Sequence, residues 1–170
     1  MSNNTIFDAL VVQCTTELFQ ARDIELHRGV ELDTPIEYAA IIGFASDDVR
    51  GMLGLGMYPS TLEHLARKQG ALNLNAEDWL GESVNQLLGR LKNKLMGYNV
   101  VISLALPTVL RGIHLRFLST GPDGLWTYSF ESEGGPVCAW LDVRHAPDFT
   151  LIPTDDPEMH GTPEGEMLLL

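Results

Sequence analysis

Positive charge is scarce in this chain. Its 11 Lys and Arg residues stand against 23 Asp and Glu, for a formal net charge of −12 at pH 7. Neutralising a phosphate backbone or an anionic membrane surface takes a basic stripe, and none is present, so nucleic acid and membrane partners are excluded. Cysteine is nearly absent. Cys14 and Cys138 make no disulfide framework and are expected as buried thiols in a reducing compartment. No apolar run is long enough to span a bilayer. The opening MSNNTIFDAL lacks a basic n-region. A cytoplasmic chain with a protein or small-molecule partner is the expectation.

Several chemical motifs are missing as well. His27, His64, His114, His145 and His160 are scattered, with no pair at metal-ligand spacing, so no metal site is expected. No serine sits in a GxSxG elbow. Gly51, Gly54 and Gly56 form a GxxGxG run ahead of a helix, yet the run lacks the GK[ST] ending of a phosphate loop. These glycines fall inside a strand-like segment, where close backbone packing is the expected reason for them.

What is present describes one globular domain of 170 residues, 45% of them apolar. Ile6 to Ala21 reads as a helix with Phe7, Leu10, Val11, Cys14 and Leu18 on one side. Ile24 to Leu32 reads as a strand, broken by Thr34-Pro35. Ile36, Tyr38, Ala40, Ile42 and Phe44 alternate at period two, and Ser46-Asp47-Asp48 suits a hairpin turn into a strand over Val49 to Met57. Pro59 to Gln69 should be a short helix, with Ser60 a candidate cap. Four strand-like runs close the sequence, Asn99–Leu106, Gly112–Thr120, Leu125–Glu131 and Val137–Arg144. The turns expected between the last three are Gly121-Pro122-Asp123-Gly124 and Gly134-Gly135-Pro136. Such a meander leaves no room for crossover helices, so the fold class is α+β, an antiparallel sheet packed with helices. The domain is expected over residues 1–145. From Ala146 onward, acidic residues set among prolines predict an irregular tail over 146–170.

The remaining segment, DWLGESVNQLLGRLKNKL from Asp78 to Leu95, is a helix with two characters. Leu80, Val84, Leu87, Leu88, Leu91 and Leu95 form an apolar face, with Asn75 as cap and Glu77 and Asp78 in the first turn. Asp78, Glu82, Asn85, Gly89 and Lys92 point away from it. A polar outer face is what any amphipathic helix has, but a mid-helix glycine there costs about 1 kcal/mol relative to Ala. Packing of Gly89 against a loop of its own chain is one reading of it. Room for the backbone of a partner is the other.

These residues resemble a known family, the CheC/CheX-type phosphatases of bacterial chemotaxis. The family signature is similar to Asp78, Glu82 and Asn85 in this register, followed by Pro107 in ISLALPTVL. The interval to Pro107 is one residue shorter than in the family pattern, and LAL precedes it. The likeness runs roughly from Ile6 to Val143. CheC-type members carry two such helices, whereas the first helix here offers Asp8, Val12 and Thr15 at the corresponding spacing. The one-site arrangement resembles the CheX branch, whose members pair as homodimers.

The resemblance implies a CheC/CheX-like fold and a phosphatase acting on the aspartyl phosphate of a response-regulator receiver domain such as phospho-CheY. Asn85 would orient the attacking water and Glu82 would pair with the regulator's lysine. Asp78, Gly89, Gly81 and Pro107 would belong to the docking surface. No cofactor is expected on this chain itself, and Mg²⁺ would sit on the partner. The alternatives are a noncatalytic response-regulator binding module, a scaffold like the flagellar-switch proteins, and a small-molecule-binding domain. The last predicts a lined pocket rather than an exposed helix.

Overall fold

The computed structural model describes residues 2–29, 36–70, 75–118 and 125–154. Among the described residues, three helices, α1 (Asn3–Gln20), α2 (Pro59–Lys68) and α3 (Ala76–Met96), accompany seven strands. The strands are β1 (His27–Arg28), β2 (Ile36–Ala45), β3 (Val49–Met57), β4 (Ser103–Leu104), β5 (Thr108–Leu115), β6 (Leu125–Ser132) and β7 (Gly135–His145). All pair antiparallel in one sheet of order β1-β6-β7-β3-β2-β4, and β5 also pairs with β2. The α+β expectation holds.

The local signals act as expected where they are short-range. Period-two alternation in β2 and β3 puts Ala40, Ile42, Phe44, Leu53, Leu55 and Met57 on the face that the helices cover. Asn75 accepts from Glu77 N and caps α3, which ends at Met96 with Gly97 as its C-cap. The first helix starts three residues earlier than its apolar period because Ser2 caps it, accepting from Thr5 N. Ser60 does not cap α2. Pro59 occupies the first helical turn and Tyr58 stands at the cap position with no side-chain capping hydrogen bond to the helix, which puts Ser60 inside the helix.

The sheet order departs from the expected meander. Thr108 follows Pro107 directly into pairing with β2, opposite Ile41, so β5 lies across the β2–β3 hairpin from β6 and β7. Of the run 99–106, Ser103 and Leu104 alone are strand, because Asn99 turns the chain with a φ of 58° just after α3. The β6–β7 turn is Glu133-Gly134, and Pro136 already belongs to β7, paired with Glu131. The Gly121–Gly124 turn, the Thr34-Pro35 break and the end of the expected 24–32 strand lie outside the described residues.

The glycine run owes its composition to packing. On the sheet face away from the helices, a side chain at Gly54 or Gly56 would collide with the Trp140 ring. Phe117 stacks on that ring at a centroid distance of 4.1 Å, and Ile36, Ala39 and Cys138 are buried in the same small cluster. Burial pushes the Cys14 and Cys138 thiols up to about 12, so both are protonated packing groups.

The chain after β7 is irregular but held. Leu151 is buried, its N–H donates to Asn3 Oδ1 at 2.8 Å, and Thr154 N donates to Gly97 O at 2.8 Å. Residues 146–154 thus pack onto α1 and the end of α3. Residues 155–170 lie outside the described residues.

Candidate functional site

Helix α3 is anchored along the stripe that its period announces. Leu80, Val84, Leu87, Leu88, Leu91 and Leu95 are all fully buried against the sheet and the other helices. Asp78 and Glu82 are exposed, and Asn85 and Gly89 are half-buried. A separation of three or four residues along a helix holds Glu82 and Asn85 with Cβ atoms about 5–6 Å apart on one face. Among the described residues, nothing hydrogen-bonds the Asn85 amide. The face is reachable.

Gly89 and Gly81 part company. Nothing lies within 4 Å of where a Gly89 Cβ would be, so the chain's own packing does not require that glycine. Gly81 is buried, and a Cβ there would stand 3.1 Å from Val109 Cγ2. Its small size serves the approach of β5 to α3 within the chain. This contact has a consequence for the site. Val109 lies two residues after Pro107, and Gly81 immediately precedes Glu82. The sheet therefore lays the LPTV segment beside the first half of α3, with Pro107 itself half-buried.

On the first helix, Thr15 does not face outward as Asn85 does on α3. Thr15 is fully buried and donates its hydroxyl to Val11 O at 2.7 Å. A polar group spent on its own backbone in the core cannot reach a partner.

A group of residues absent from the sequence reading borders Glu82. Arg22, in the turn after α1, donates from Nη1 to Ser83 Oγ at 2.6 Å and from Nη2 to Gln86 Oε1 at 2.8 Å. Gln86 Nε2 in turn donates to Glu82 Oε1 at 2.9 Å. Arg22 stacks over Trp79, 5.1 Å from the ring centroid, and its carbonyl accepts from Gln69 Nε2 at 2.6 Å. Burial lowers the Arg22 guanidinium from its ordinary value, and the Glu82 carboxylate opposes that shift. Gln86 follows Glu82 by one helical turn, a spacing that signals an i,i+4 pair. No local pattern could announce Arg22, which comes from the turn after α1.

A cavity of about 550 Å³ opens on the far face of the sheet, lined by residues that include Gly43, Arg50, Met52, Asp142 and Arg144. It shares no residue with the polar face of α3. Among the described residues no group of three or more His, Cys, Asp or Glu could hold a metal ion.

Residues 38–130 match the family described as "Chemotaxis phosphatase CheX". No curated protein matches the chain in sequence. In structure the chain is similar to a CheC-like superfamily protein from a Shewanella species, at TM-score 0.71 and 17% identity over 81% of this chain and 97% of that one. It is similar to the chemotaxis protein CheX of Vibrio vulnificus, at TM-score 0.69 and 15% identity over 79% of this chain and 96% of that one. It is also similar to a chain of the CheX–CheY–BeF3–Mg²⁺ complex of Borrelia burgdorferi, at TM-score 0.62 and 14% identity over 81% of this chain and 97% of that one. At these identities the likeness speaks to the fold.

Proposed function

Because the chain belongs to the CheX family of chemotaxis phosphatases, we propose that it hastens hydrolysis of the aspartyl phosphate on a response-regulator receiver domain through the polar face of α3. The observation that carries this reading is the run Asp78, Glu82 and Asn85 along the outward side of an otherwise buried helix, with the LPTV segment packed beside it. The CheX chain of the Borrelia complex is bound to CheY with BeF3 and Mg²⁺. We assign the same kind of partner here, with Mg²⁺ on the receiver rather than on this chain, and a cytoplasmic setting.

The reaction is attack of water on phosphorus with cleavage of the P–O bond to the aspartyl carboxylate, leaving free aspartate and inorganic phosphate. The receiver supplies the metal and a lysine, and an oriented nucleophile is what it lacks. Phosphoryl transfer depends mainly on positioning and electrostatics. The Asn85 carbonyl accepts a hydrogen bond from the water and its NH₂ steadies the geometry, with no added negative charge beside the phosphoryl group. Glu82 pairs with the receiver's lysine and sets the register of α3 in the partner site. Asp78, in the first turn, supports the helix dipole.

Catalytic amounts of this chain should shorten the lifetime of the acyl phosphate on its cognate receiver in the presence of Mg²⁺. Binding without faster decay would leave the noncatalytic module. Gly89 gives an independent check of the docking face. Gly89→Ala should stabilise the domain by about 1 kcal/mol, since Ala is the better helix former and finds open space. It should also weaken binding to a BeF3-loaded receiver, because the methyl group stands where the partner approaches. A higher melting temperature with unchanged affinity would remove Gly89 from the docking face.

We also propose that the chain forms a homodimer through the sheet edge at β5. Ile113 in β5, with Leu106 before the strand and Leu118 after it, is more than four-fifths exposed, as are those two, an arrangement that invites strand pairing with a second copy. Light scattering at micromolar concentration should return twice the chain mass. A monomer mass there would overturn the dimer.

A further inference from the structure

We infer that Gln86 is a positioning residue for the docking carboxylate, holding Glu82 in its partner-ready orientation, and that Arg22 fixes Gln86 to do so. The inference rests on the phosphatase reading above and extends it to residues outside the signature.

The argument starts from the side chains. Glu82 is an exposed carboxylate on a flexible stem, and ordering such a stem at the moment of docking costs affinity. A carboxamide can hold it only if its NH₂ end faces the carboxylate, and an amide at an exposed position turns freely unless its oxygen is tied. Here it is tied. Gln86 Oε1 accepts from Arg22 Nη2 at 2.8 Å, which leaves Nε2 to donate to Glu82 Oε1 at 2.9 Å. Arg22 has no acceptor capacity, so it cannot bind the amide the other way round.

Arg22 is itself a rigid support. Its second terminal nitrogen is bonded to Ser83 Oγ, the guanidinium stacks on the buried Trp79, and Gln69 holds its backbone carbonyl. The Ser83 hydroxyl is turned by its own bond to Trp79 O at 2.6 Å. The chain of contacts runs from buried rings and backbone to the exposed carboxylate. Gln86 engages Glu82 Oε1, and Glu82 is exposed, so its second carboxylate oxygen is left for a cation on the receiver. The arrangement lowers the ordering cost of docking without touching the reacting atoms.

Three variants test this in the full chain, with the cognate receiver as partner. Kinetics of acyl-phosphate decay give KM and kcat, and titration with the BeF3- and Mg²⁺-loaded receiver gives Kd. Gln86→Leu removes both bonds at an exposed position and should raise KM and Kd about three- to tenfold, the worth of one such hydrogen bond, with kcat unchanged. Gln86→Glu keeps the acceptor for Arg22 but cannot donate to Glu82. It should retain the melting temperature while reproducing the rise in KM, a result that a purely structural tie between α1 and α3 would not give. In a Glu82→Ala background, Gln86→Leu should have no further effect on either constant. An unchanged KM in Gln86→Leu, wild-type docking by Gln86→Glu, or an undiminished effect without Glu82 would each overturn the proposal. Failure of the phosphatase reading shows separately, as a wild type that binds the loaded receiver without hastening decay, and Kd then still decides the role of Gln86. A wild type that does neither overturns both.

Discussion

Replacing Asn85 by alanine should slow receiver dephosphorylation by about a hundredfold in kcat while KM stays within a few-fold. A hundredfold corresponds to about 2.7 kcal/mol of transition-state stabilisation, within the reach of one well-oriented water. The split follows from where the bonds form. The Asn85 amide has no hydrogen bond within the described residues, so its loss leaves no broken network in the free protein. If it engages the water chiefly as the nucleophile attacks, ground-state binding hardly notices its removal. The fold is not at risk either, since Asn85 is half-buried on a helix whose packed face is made by leucines, and Ala is the better helix former. The check is steady-state decay of acyl phosphate at several receiver concentrations, with melting temperatures to confirm intact folding. Asn85→Asp keeps an acceptor but adds charge beside the phosphoryl group, so it too should be slow. Wild-type turnover by Asn85→Ala would move the catalytic role to another residue of the same face.

The largest effect on stability is expected far from that face. Gly54→Ala should destabilise the domain by about 1–3 kcal/mol even though Ala is favoured over Gly in a strand interior by about 0.5–1 kcal/mol. The clash decides the sign. An added methyl group would overlap the six-membered and pyrrole portions of the Trp140 ring, which is fully buried and held from the other side by Phe117. A rigid indole stacked at 4.1 Å has nowhere to retreat. Denaturant melts should show a lower midpoint, with Tm down by roughly 2–4 °C per kcal/mol for a chain of this size. In a Trp140→Leu background the cost of Gly54→Ala should fall sharply, because the partner in the collision is gone. A Gly54→Ala domain as stable as wild type would mean that β3 and β7 can shift apart at no cost.

Both predictions rest on features of different legibility. The two faces of α3 follow directly from a 3.6-residue period, and the structure buries the whole leucine stripe. Asn75 as cap and the hairpin of β2 and β3 were equally readable, since a cap bonds within one turn and a hairpin joins neighbouring strands. The packing reason for the glycine run was readable in kind, because a strand interior has no use for glycine unless something lies close. Trp140 as the thing that lies close was not readable, being a register decision of the β3–β7 pair.

By itself the sequence determined the periodic and short-range features: the anchored stripe of α3, the alignment of Asp78, Glu82 and Asn85 on its opposite side, and the helix and strand character of most segments. Tertiary structure decided the choices between distant segments. It paired β5 with β2 instead of β6, and thereby buried Gly81 against Val109 and set the LPTV segment beside the helix. It packed residues 146–154 onto α1, although their composition reads as tail. It brought Arg22 from the end of α1 to Gln86 and so to Glu82. The physical reason is one of range. Backbone hydrogen bonding and side-chain period act over a few residues and are written in local composition. Which edge a strand takes and which helix a guanidinium reaches depend on the free energy of the whole packed core, to which no single segment holds the key.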